Sequence, residues 1–373
     1  MTQLSTWNHT LGLQHPLIQA PMAGVQGSAL AIAVSQAGGL GSLPCAMLSP
    51  EQIRSEIEAI RAATDRPYNL NFFCHSPPPP DVATPEREAA WRRLLTPFYA
   101  EHGIEAANIP TGAGRMPFSK ALCDVIEPHK PPVVSFHFGL PDAALVQRIK
   151  AWGGQVLSSA TTVAEALWLA QHGADAIIAQ GLEAGGHRGM FLHQDADGKH
   201  PGLSSTFPTN WATEICSQQG TFTLLPQIAR AVNLPVIAAG GITDRAGIQA
   251  ALALGASAVQ IGTAFMLCPE ATTSAVHRAA LAHSAAHPES HHTELTTLFT
   301  GRPARGIRNR VMHELGAFNA TAPAFPTATA AIAPLRAAAE KAGLADFSPL
   351  WSGQNACGCK PLPAAQLLRE LIP

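Results

Sequence analysis

The sequence has little charge, and this scarcity excludes several common classes of protein. Charged residues make up 13% of the 373 residues, and 24 Lys and Arg against 26 Asp and Glu leave a formal net charge of −2. The basic residues are scattered without a run, so nucleic-acid binding has little support. With 46% hydrophobic residues, the composition instead favours a compact globular protein with a large buried core.

Targeting segments are also missing from the sequence. No apolar stretch reaches about 18 residues without polar groups or helix breakers, so no membrane span is predicted. The opening residues, MTQLSTWNHT, lack the charged and apolar regions of a secretory signal. Seven cysteines form an odd number without framework spacing, which favours reduced thiols and a cytoplasmic location.

What the sequence does contain is a series of eight short apolar runs, most of them followed by a helical pattern. Several runs show little alternation, as expected of parallel strands that are buried on both faces. Eight such strands alternating with helices favour a (β/α)8 barrel of the TIM type, with an open doubly wound sheet as the competing fold. The predicted strands are LIQAPM (17–22), GLGSLP (39–44), YNLNFF (68–73), VVSFHFG (133–139), QVLSSA (155–160), AIIAQG (176–181), PVIAAGG (235–241) and AVQIGT (258–263).

Two stretches fall outside the barrel pattern. Residues 75–130 separate the third and fourth predicted strands by far more than an ordinary loop, and the tail beyond residue 270 is rich in alanine. The sequence therefore predicts a barrel domain made of residues 1–74 and 131–270. Residues 75–130 and 271–373 are predicted to form a smaller, mostly helical accessory domain that covers the C-terminal mouth of the barrel.

Glycine turns follow the last two predicted strands. Gly240 and Gly241 lie in AAGGITD, and Gly262 lies in QIGTAF. Glycine lets backbone N–H groups approach a phosphate closely, and barrels commonly hold a cofactor phosphate after strands seven and eight. The alternative is that these glycines merely permit tight turns.

Other strand ends carry groups suited to a flat ligand. Gln180 and Asn71 end the sixth and third predicted strands, and their amides can both donate and accept hydrogen bonds to a planar heterocycle. Gly185 opens a loop that could pass close to a ring. Met22 ends the first strand and could pack on such a ring, with plain core packing as its alternative.

A histidine at the end of the fourth predicted strand is the candidate catalytic group. His137 lies in SFHFG between Phe136 and Phe138, so we expect the two phenyl rings to alternate away from it. A neutral imidazole at the barrel mouth can take a proton, and a protonated one can hold an anion. A buried histidine bonded to backbone is the alternative. For His187 and Arg188, ligand contact and a solvated loop both stay open.

Six motifs in this order resemble the nitronate monooxygenase family, once called 2-nitropropane dioxygenase: QAPMAGV, NLNFF, SFHFG, QGLEAGGHRG, AAGGITD and QIGTAF. The likeness runs from about residue 14 to residue 268, and LWSGQ near the tail fits too. It implies an FMN-dependent barrel that oxidises alkyl nitronates with O2 to carbonyl compounds and nitrite. Propionate 3-nitronate is one candidate substrate, and neutral nitroalkanes are further candidates. His137 is implied as the catalytic residue, and the residues implied at the flavin are Met22, Asn71, Gln180, Gly185, Gly241, Gln260, Ile261, Gly262 and Thr263.

The expected partners are therefore a small nitronate and O2, and the chain is expected to be a monomer or a homodimer. One alternative is an FMN-dependent enoyl-thioester reductase that uses NAD(P)H. Its relatives usually show a glycine-rich stretch where this chain has SFHFG, and no separate dinucleotide fingerprint is present. A flavin-free phosphate-ester isomerase or lyase with the same phosphate loops is the other alternative.

Two further patterns are given no functional role. Cys357 and Cys359 lack the two-residue spacer of a redox motif. In AHSAAHPESHH, Pro288 interrupts the helical spacing of four histidines, so a solvated polar segment is favoured over a metal site. These histidines are His283, His287, His291 and His292.

Overall fold

A computed structural model describes residues 5–78, 82–109, 115–192 and 211–372 of the chain. Within these ranges the strands are β1 (Leu17–Gln19), β2 (Gly41–Pro44), β3 (Tyr68–Phe73), β4 (Val133–His137), β5 (Gln155–Ala160), β6 (Ala176–Gln180), β7 (Gly186–His187), β8 (Val236–Ala239), β9 (Ala258–Ile261), β10 (Thr293–Thr296) and β11 (Ala304–Ile307).

The α-helices are α1 (Thr6–Thr10), α2 (Ser28–Gln36), α3 (Pro50–Ala63), α4 (Pro85–Glu101), α5 (Lys120–Ile126), α6 (Ala143–Ala151), α7 (Val163–Gln171), α8 (Trp211–Cys216), α9 (Thr221–Ala231), α10 (Arg245–Ala253), α11 (Ala275–Ala286), α12 (Arg310–Leu315), α13 (Thr329–Lys341) and α14 (Ala364–Leu371). Short 3-10 helices span Ala106–Asn108, Glu127–His129, Thr263–Leu267 and Pro288–Ser290.

Eight strands form one parallel sheet in the order β1-β9-β8-β6-β5-β4-β3-β2. A parallel bridge between Ile18 and Leu40 brings the two outer strands together and nearly closes the sheet into a barrel. The predicted TIM-type (β/α)8 fold is thereby confirmed. Each predicted run contains a strand, although most strands are shorter than their runs, and the glycines of AAGGITD and QIGTAF lie just beyond strand ends.

Helix α3 illustrates how local sequence sets the boundaries. The Ser49 side chain accepts a hydrogen bond from the Gln52 backbone N–H, the Gln52 side chain accepts one from Ser49 N, and Pro50 occupies the first turn. Such a capping box satisfies N–H groups that a helix start leaves unpaired. Ile53, Ile57 and Ile60 follow at three- and four-residue spacing and are fully buried, so one face of the helix is held against the barrel.

Alternate residues of the strands enter two different hydrophobic layers. Val134, Val156 and Ile177 pack in the layer that contains the surrounding helices. Their neighbours Leu157 and Ile178 pack in a separate cluster that includes the N-terminal Trp7 and Leu13. Because strand side chains alternate in direction, the second cluster fills the interior of the barrel.

A further hydrophobic core joins α4 to the C-terminal part of the chain. Trp91 and Tyr99 are buried on α4, and each bonds to a carbonyl beside or within α13: Trp91 Nε1 to Ala328 O at 3.3 Å, and Tyr99 Oη to Ala331 O at 2.7 Å. Helices α5 and α14, which belong to the predicted accessory ranges, instead contribute residues to the barrel's outer layer. The division into two domains stays a prediction.

The short strands β10, β11 and β7 form an antiparallel sheet that the sequence analysis did not anticipate. Strand β7 has only two residues and belongs to the loop after β6, so it ties the barrel mouth to the C-terminal segment. In the described ranges, no helix has both the length and the apolar character needed to span a bilayer.

Candidate active site

One large cavity opens at the C-terminal ends of the barrel strands, with an empty volume of about 1320 Å³ including its open mouth. Every residue that the sequence analysis assigned to the site lines this cavity, and the functional roles of these residues stay predictions. They are Met22, Asn71, His137, Gln180, Gly185, Gly241, Gln260, Ile261, Gly262 and Thr263.

The alternation along the strands explains why polar side chains meet here. His137 lies four residues after Val133, and Gln180 lies two residues after Ile178; both apolar residues pack in the barrel's interior cluster. The polar residues therefore share the inward direction of these apolar residues, with Gln180 one alternation step and His137 two steps nearer the mouth. The same relation holds for Gln260, which follows the interior residue Ala258.

His137 is held by hydrogen bonds at both ring nitrogens. Its Nε2 lies 3.1 Å from the His187 carbonyl, and its Nδ1 lies 3.0 Å from Ser159 Oγ. Because a carbonyl oxygen can only accept, Nε2 carries the proton and Nδ1 accepts from the serine hydroxyl. Burial lowers the pKa of His137 to about 3, and the nearby Arg302 and Arg188 charges act in the same direction. The imidazole is therefore neutral at physiological pH.

The two phenylalanines beside His137 behave differently. Phe136 packs away from the mouth, with its ring centroid 5.2 Å from that of Phe118, as expected. The expectation for Phe138 is wrong, because β4 ends at His137 and Phe138 has φ +72°, a left-handed conformation that strains a bulky residue. Its ring is packed under the Arg302 guanidinium, with 3.9 Å between the guanidinium carbon and the ring centroid.

Gln180 lines the cavity, but its amide is already engaged by the loop that follows β6. Its Nε2 donates to the His187 carbonyl at 2.9 Å, and its Oε1 accepts from Gly189 N at 2.7 Å. Asn71 differs: its Nδ2 donates to Ser135 Oγ at 2.9 Å, and its Oδ1 accepts no hydrogen bond from any described residue. The side-chain amide oxygen of Asn71 is thus free for a ligand.

The glycine turns leave donors without partners. Gly240 and Gly241 have positive φ values of 125° and 71°, conformations that glycine adopts without strain. The backbone N–H groups of Gly241, Gly262 and Thr263 reach no acceptor in the described part of the chain. Unpaired N–H groups at successive turns form a concave site suited to an anion.

Gln260 supplies a complementary acceptor. Its Oε1 is buried and has no hydrogen-bond partner among the described residues. A buried polar atom left unpaired costs free energy, so this oxygen fits a ligand that brings an N–H or O–H donor. Met22 lies beside the same strand end, with its Sδ 3.4 Å from the position of a Cβ placed on Gly262.

Residues 351–359, here called the strap, cross the glycine turns that follow β8 and β9. These two turns, residues 240–241 and 262–263, are called the phosphate-type loops below. Gly353 N donates to Thr263 Oγ1 at 3.0 Å, and Asn355 Nδ2 donates to Gly241 O at 3.2 Å. A Cβ on Gly185 would lie 2.5 Å from Gly353 N, so glycine at this position permits the close approach of the strap. The only sequence signal for this contact is the likeness of LWSGQ to the family pattern.

The residues with open or unassigned roles contribute to the frame of the site. Arg188 is fully buried and bonds to the Gln180 and Gly181 carbonyls at 2.8 and 2.6 Å, so it does not lie on a solvated loop. Cys359 Sγ donates to the Thr263 carbonyl at 3.2 Å.

No group of three or more possible metal ligands occurs within the described ranges. Of the four histidines near Pro288, His291 reaches the strap through a 2.8 Å bond to Gly353 O.

Sequence reasoning missed four polar residues that line the cavity: Ser159, Arg115, Thr243 and Asn355. Ser159 follows the interior residue Leu157 by two positions, so strict alternation along the fifth strand could have identified it. Arg115 lies in the long segment between β3 and β4, where no periodic signal indicates which side chains turn towards the barrel mouth.

The family model for nitronate monooxygenase matches residues 5–373. The chain belongs to this family. A nitronate monooxygenase from Pseudomonas aeruginosa is 42% identical over 97% of this chain and 96% of its own length. Among solved structures, nitroalkane oxidase from Streptomyces ansochromogenes superposes with a TM-score of 0.84 at 36% identity, covering 98% of this chain and 96% of that one. FabK from Thermotoga maritima superposes less well, with a TM-score of 0.67 at 25% identity over 100% of this chain and 95% of that one.

We predict that low pH destabilises the protein at the point where His277 holds the strap. His277 Nε2 bonds to Trp351 O at 3.1 Å, and burial lowers the pKa of His277 to about 4 from 6.5. Between these values the unfolded chain binds a proton that the folded chain does not, so the stabilisation present above pH 6.5 is lost as the pH falls towards 4. When thermal unfolding is measured at a series of pH values, the Tm of His277→Gln should fall less between pH 6.5 and pH 4 than the Tm of wild type. His9→Gln, at an exposed site, is the control, and an unchanged slope in His277→Gln would refute the assignment.

Proposed function

We propose that this chain binds FMN and oxidises alkyl nitronates with O2 to carbonyl compounds and nitrite. Membership of the nitronate monooxygenase family supports oxidation of this substrate class. The observation that carries the finer proposal is a neutral histidine, His137, in the same cavity as unpaired backbone donors at Gly241, Gly262 and Thr263. The cytoplasmic location inferred from the cysteines stays part of this proposal.

The free polar groups of the cavity fit FMN. Backbone N–H groups of Gly241, Gly262 and Thr263 would hold its phosphate, since they have no other acceptor in the described ranges. The unpaired oxygens of Asn71 and Gln260 would accept hydrogen bonds from the ring system or the sugar-like chain. When bound, FMN would supply the redox chemistry that links nitronate oxidation to O2. The chain's own residues would supply binding, orientation and charge.

The neutral state of His137 favours an anionic substrate. With a pKa near 3, Nδ1 is a weak base, and general-base catalysis is most efficient when the pKa lies near the working pH. A nitronate has already lost its α-proton and needs no such base. Its negative charge would raise the pKa of the adjacent imidazole towards the usual range, because opposite charges favour each other's ionised forms. His137 would then hold the anion, and would take a proton only from a neutral nitroalkane.

The first test is oxygen consumption. With propionate 3-nitronate or ethylnitronate, the purified protein should take up O2 and release nitrite without NAD(P)H, because the nitronate itself supplies the electrons. An oxygen electrode combined with nitrite determination measures both. Uptake that appears only with a reduced nicotinamide would contradict the proposal and favour an enoyl-thioester reductase.

The second test concerns the phosphate-type loops. Denaturation of the purified protein should release FMN, and Gly241→Asp should abolish its retention because a carboxylate would face the phosphate at short range. Gly153→Asp controls for an aspartate at a glycine with positive φ, since Gly153 does not line the cavity. Gly153 has open space around it, whereas a Cβ on Gly241 would lie 3.3 Å from Glu183 Cβ. A protein that stays colourless with added FMN would favour a flavin-free phosphate-ester isomerase or lyase.

The third test separates the two roles of His137. His137→Asn should keep FMN but lose nitroalkane oxidation by roughly 10²–10⁴-fold, the usual cost of losing a general base. Oxidation of preformed nitronate should fall less, and His313→Asn, at an exposed position, serves as the control. Steady-state kinetics with both substrates decides between the roles. Equal losses would show that His137 acts only on the anion, and unchanged activity would refute a catalytic role.

A further inference from the structure

The charge of the cavity wall comes from one residue. Among the described residues that line the cavity, the ionisable side chains are Arg115, His137 and His187, and no aspartate or glutamate is present. Burial holds the pKa of His137 and His187 well below the usual range, so both are neutral near pH 7. Arg115 therefore gives this wall its positive charge.

Arg115 has few partners within the protein. Its Nη1 donates to Thr329 Oγ1 at 3.0 Å, and its Nη2 lies 4.0 Å from Met47 Sδ, a weak acceptor. No carboxylate lies within 4.0 Å of the guanidinium in the described ranges. A guanidinium carries five N–H donors, so most of them are left for a ligand. Burial lowers the pKa of Arg115 to about 10, and the side chain remains charged at neutral pH.

Arg115 lies beside a cluster of aromatic rings that leads to His137. Its guanidinium carbon lies 5.8 Å from the Phe325 ring centroid, and the Phe325 ring lies 6.2 Å from Phe73 and 5.5 Å from His187. The Phe73 ring in turn lies 5.9 Å from the His137 ring. Two rings, Phe325 and Phe73, thus connect the guanidinium to the His137 imidazole, and all but Phe325 of these residues line the cavity.

We propose that Arg115 binds a carboxylate carried at the far end of the nitronate substrate. The inference rests on the proposed function and adds a specificity residue to it. The planar fork of a guanidinium matches a carboxylate through two parallel hydrogen bonds. A partly buried cation without an acidic partner carries a desolvation cost, and an anionic ligand offsets it. The substrate then has two negative ends, the nitronate beside His137 and the carboxylate at Arg115.

Matched substrates test this assignment. Propionate 3-nitronate carries the carboxylate, and propyl-1-nitronate has a methyl group in its place. Arg115→Gln should lower kcat/KM for propionate 3-nitronate by roughly 10- to 100-fold, the value of a charged hydrogen bond, mainly through KM. The values for propyl-1-nitronate should change little. Arg115→Lys should recover part of the loss, and Arg54→Gln, an exposed arginine on α3, controls for the change in net charge.

Calorimetric titration without O2 gives a second readout that does not depend on turnover. Wild type should bind 3-nitropropionate more tightly than 1-nitropropane, and Arg115→Gln should remove this difference. Equal losses for both nitronates, or an undiminished preference for 3-nitropropionate in the variant, would overturn the proposal. If neither nitronate is oxidised by wild type, the proposed function fails, and the titration still decides whether Arg115 binds a carboxylate.

Discussion

The main-chain carbonyl of His187 is the acceptor on which the site depends. It receives hydrogen bonds from His137 Nε2 at 3.1 Å and from Gln180 Nε2 at 2.9 Å. A carbonyl oxygen has two lone pairs and no proton to give, so it fixes the imidazole tautomer and joins the ends of β4 and β6. His187 is also paired with Ala304 of β11. The small antiparallel sheet therefore positions the loop whose carbonyl decides which nitrogen of His137 carries the proton and which one is the acceptor.

A buried arginine keeps that carbonyl in place. Arg188 follows His187, is inaccessible to solvent, and donates to Gln180 O, Gly181 O and Gln218 Oε1. These oxygens lower the cost of burying the charge. Burial brings the pKa of Arg188 to about 9, so it is still positive near neutrality and helps to keep His137 unprotonated. One side chain thus shapes the loop and sets the electrostatics of its neighbour.

The predictable part of the molecule follows from short-range periodicity. Buried parallel strands, capped helices such as α3 and glycine turns such as Gly241 leave local patterns, and the inward position of His137 follows from the alternation of its strand. Strand β7 has two residues, and its strand partner β11 lies more than a hundred residues later in the chain, so no local pattern predicts it. The left-handed Phe138 was missed for a similar reason, since packing under Arg302 from the C-terminal segment stabilises a backbone conformation that the residue itself disfavours.

The low pKa of His137 links anion binding to proton uptake. A group that is neutral in the free protein and gains a proton beside an anion must, by thermodynamic reciprocity, strengthen the binding of that anion as the pH falls. Desolvation makes this coupling strong, because the same low-polarity surroundings that disfavour the lone imidazolium strengthen its attraction to a partner of opposite charge. A histidine exposed to water would already be partly charged near pH 6.5 and would gain less from the anion. The burial that makes His137 a weak base is therefore also the feature that would suit it to the anion-holding role proposed above.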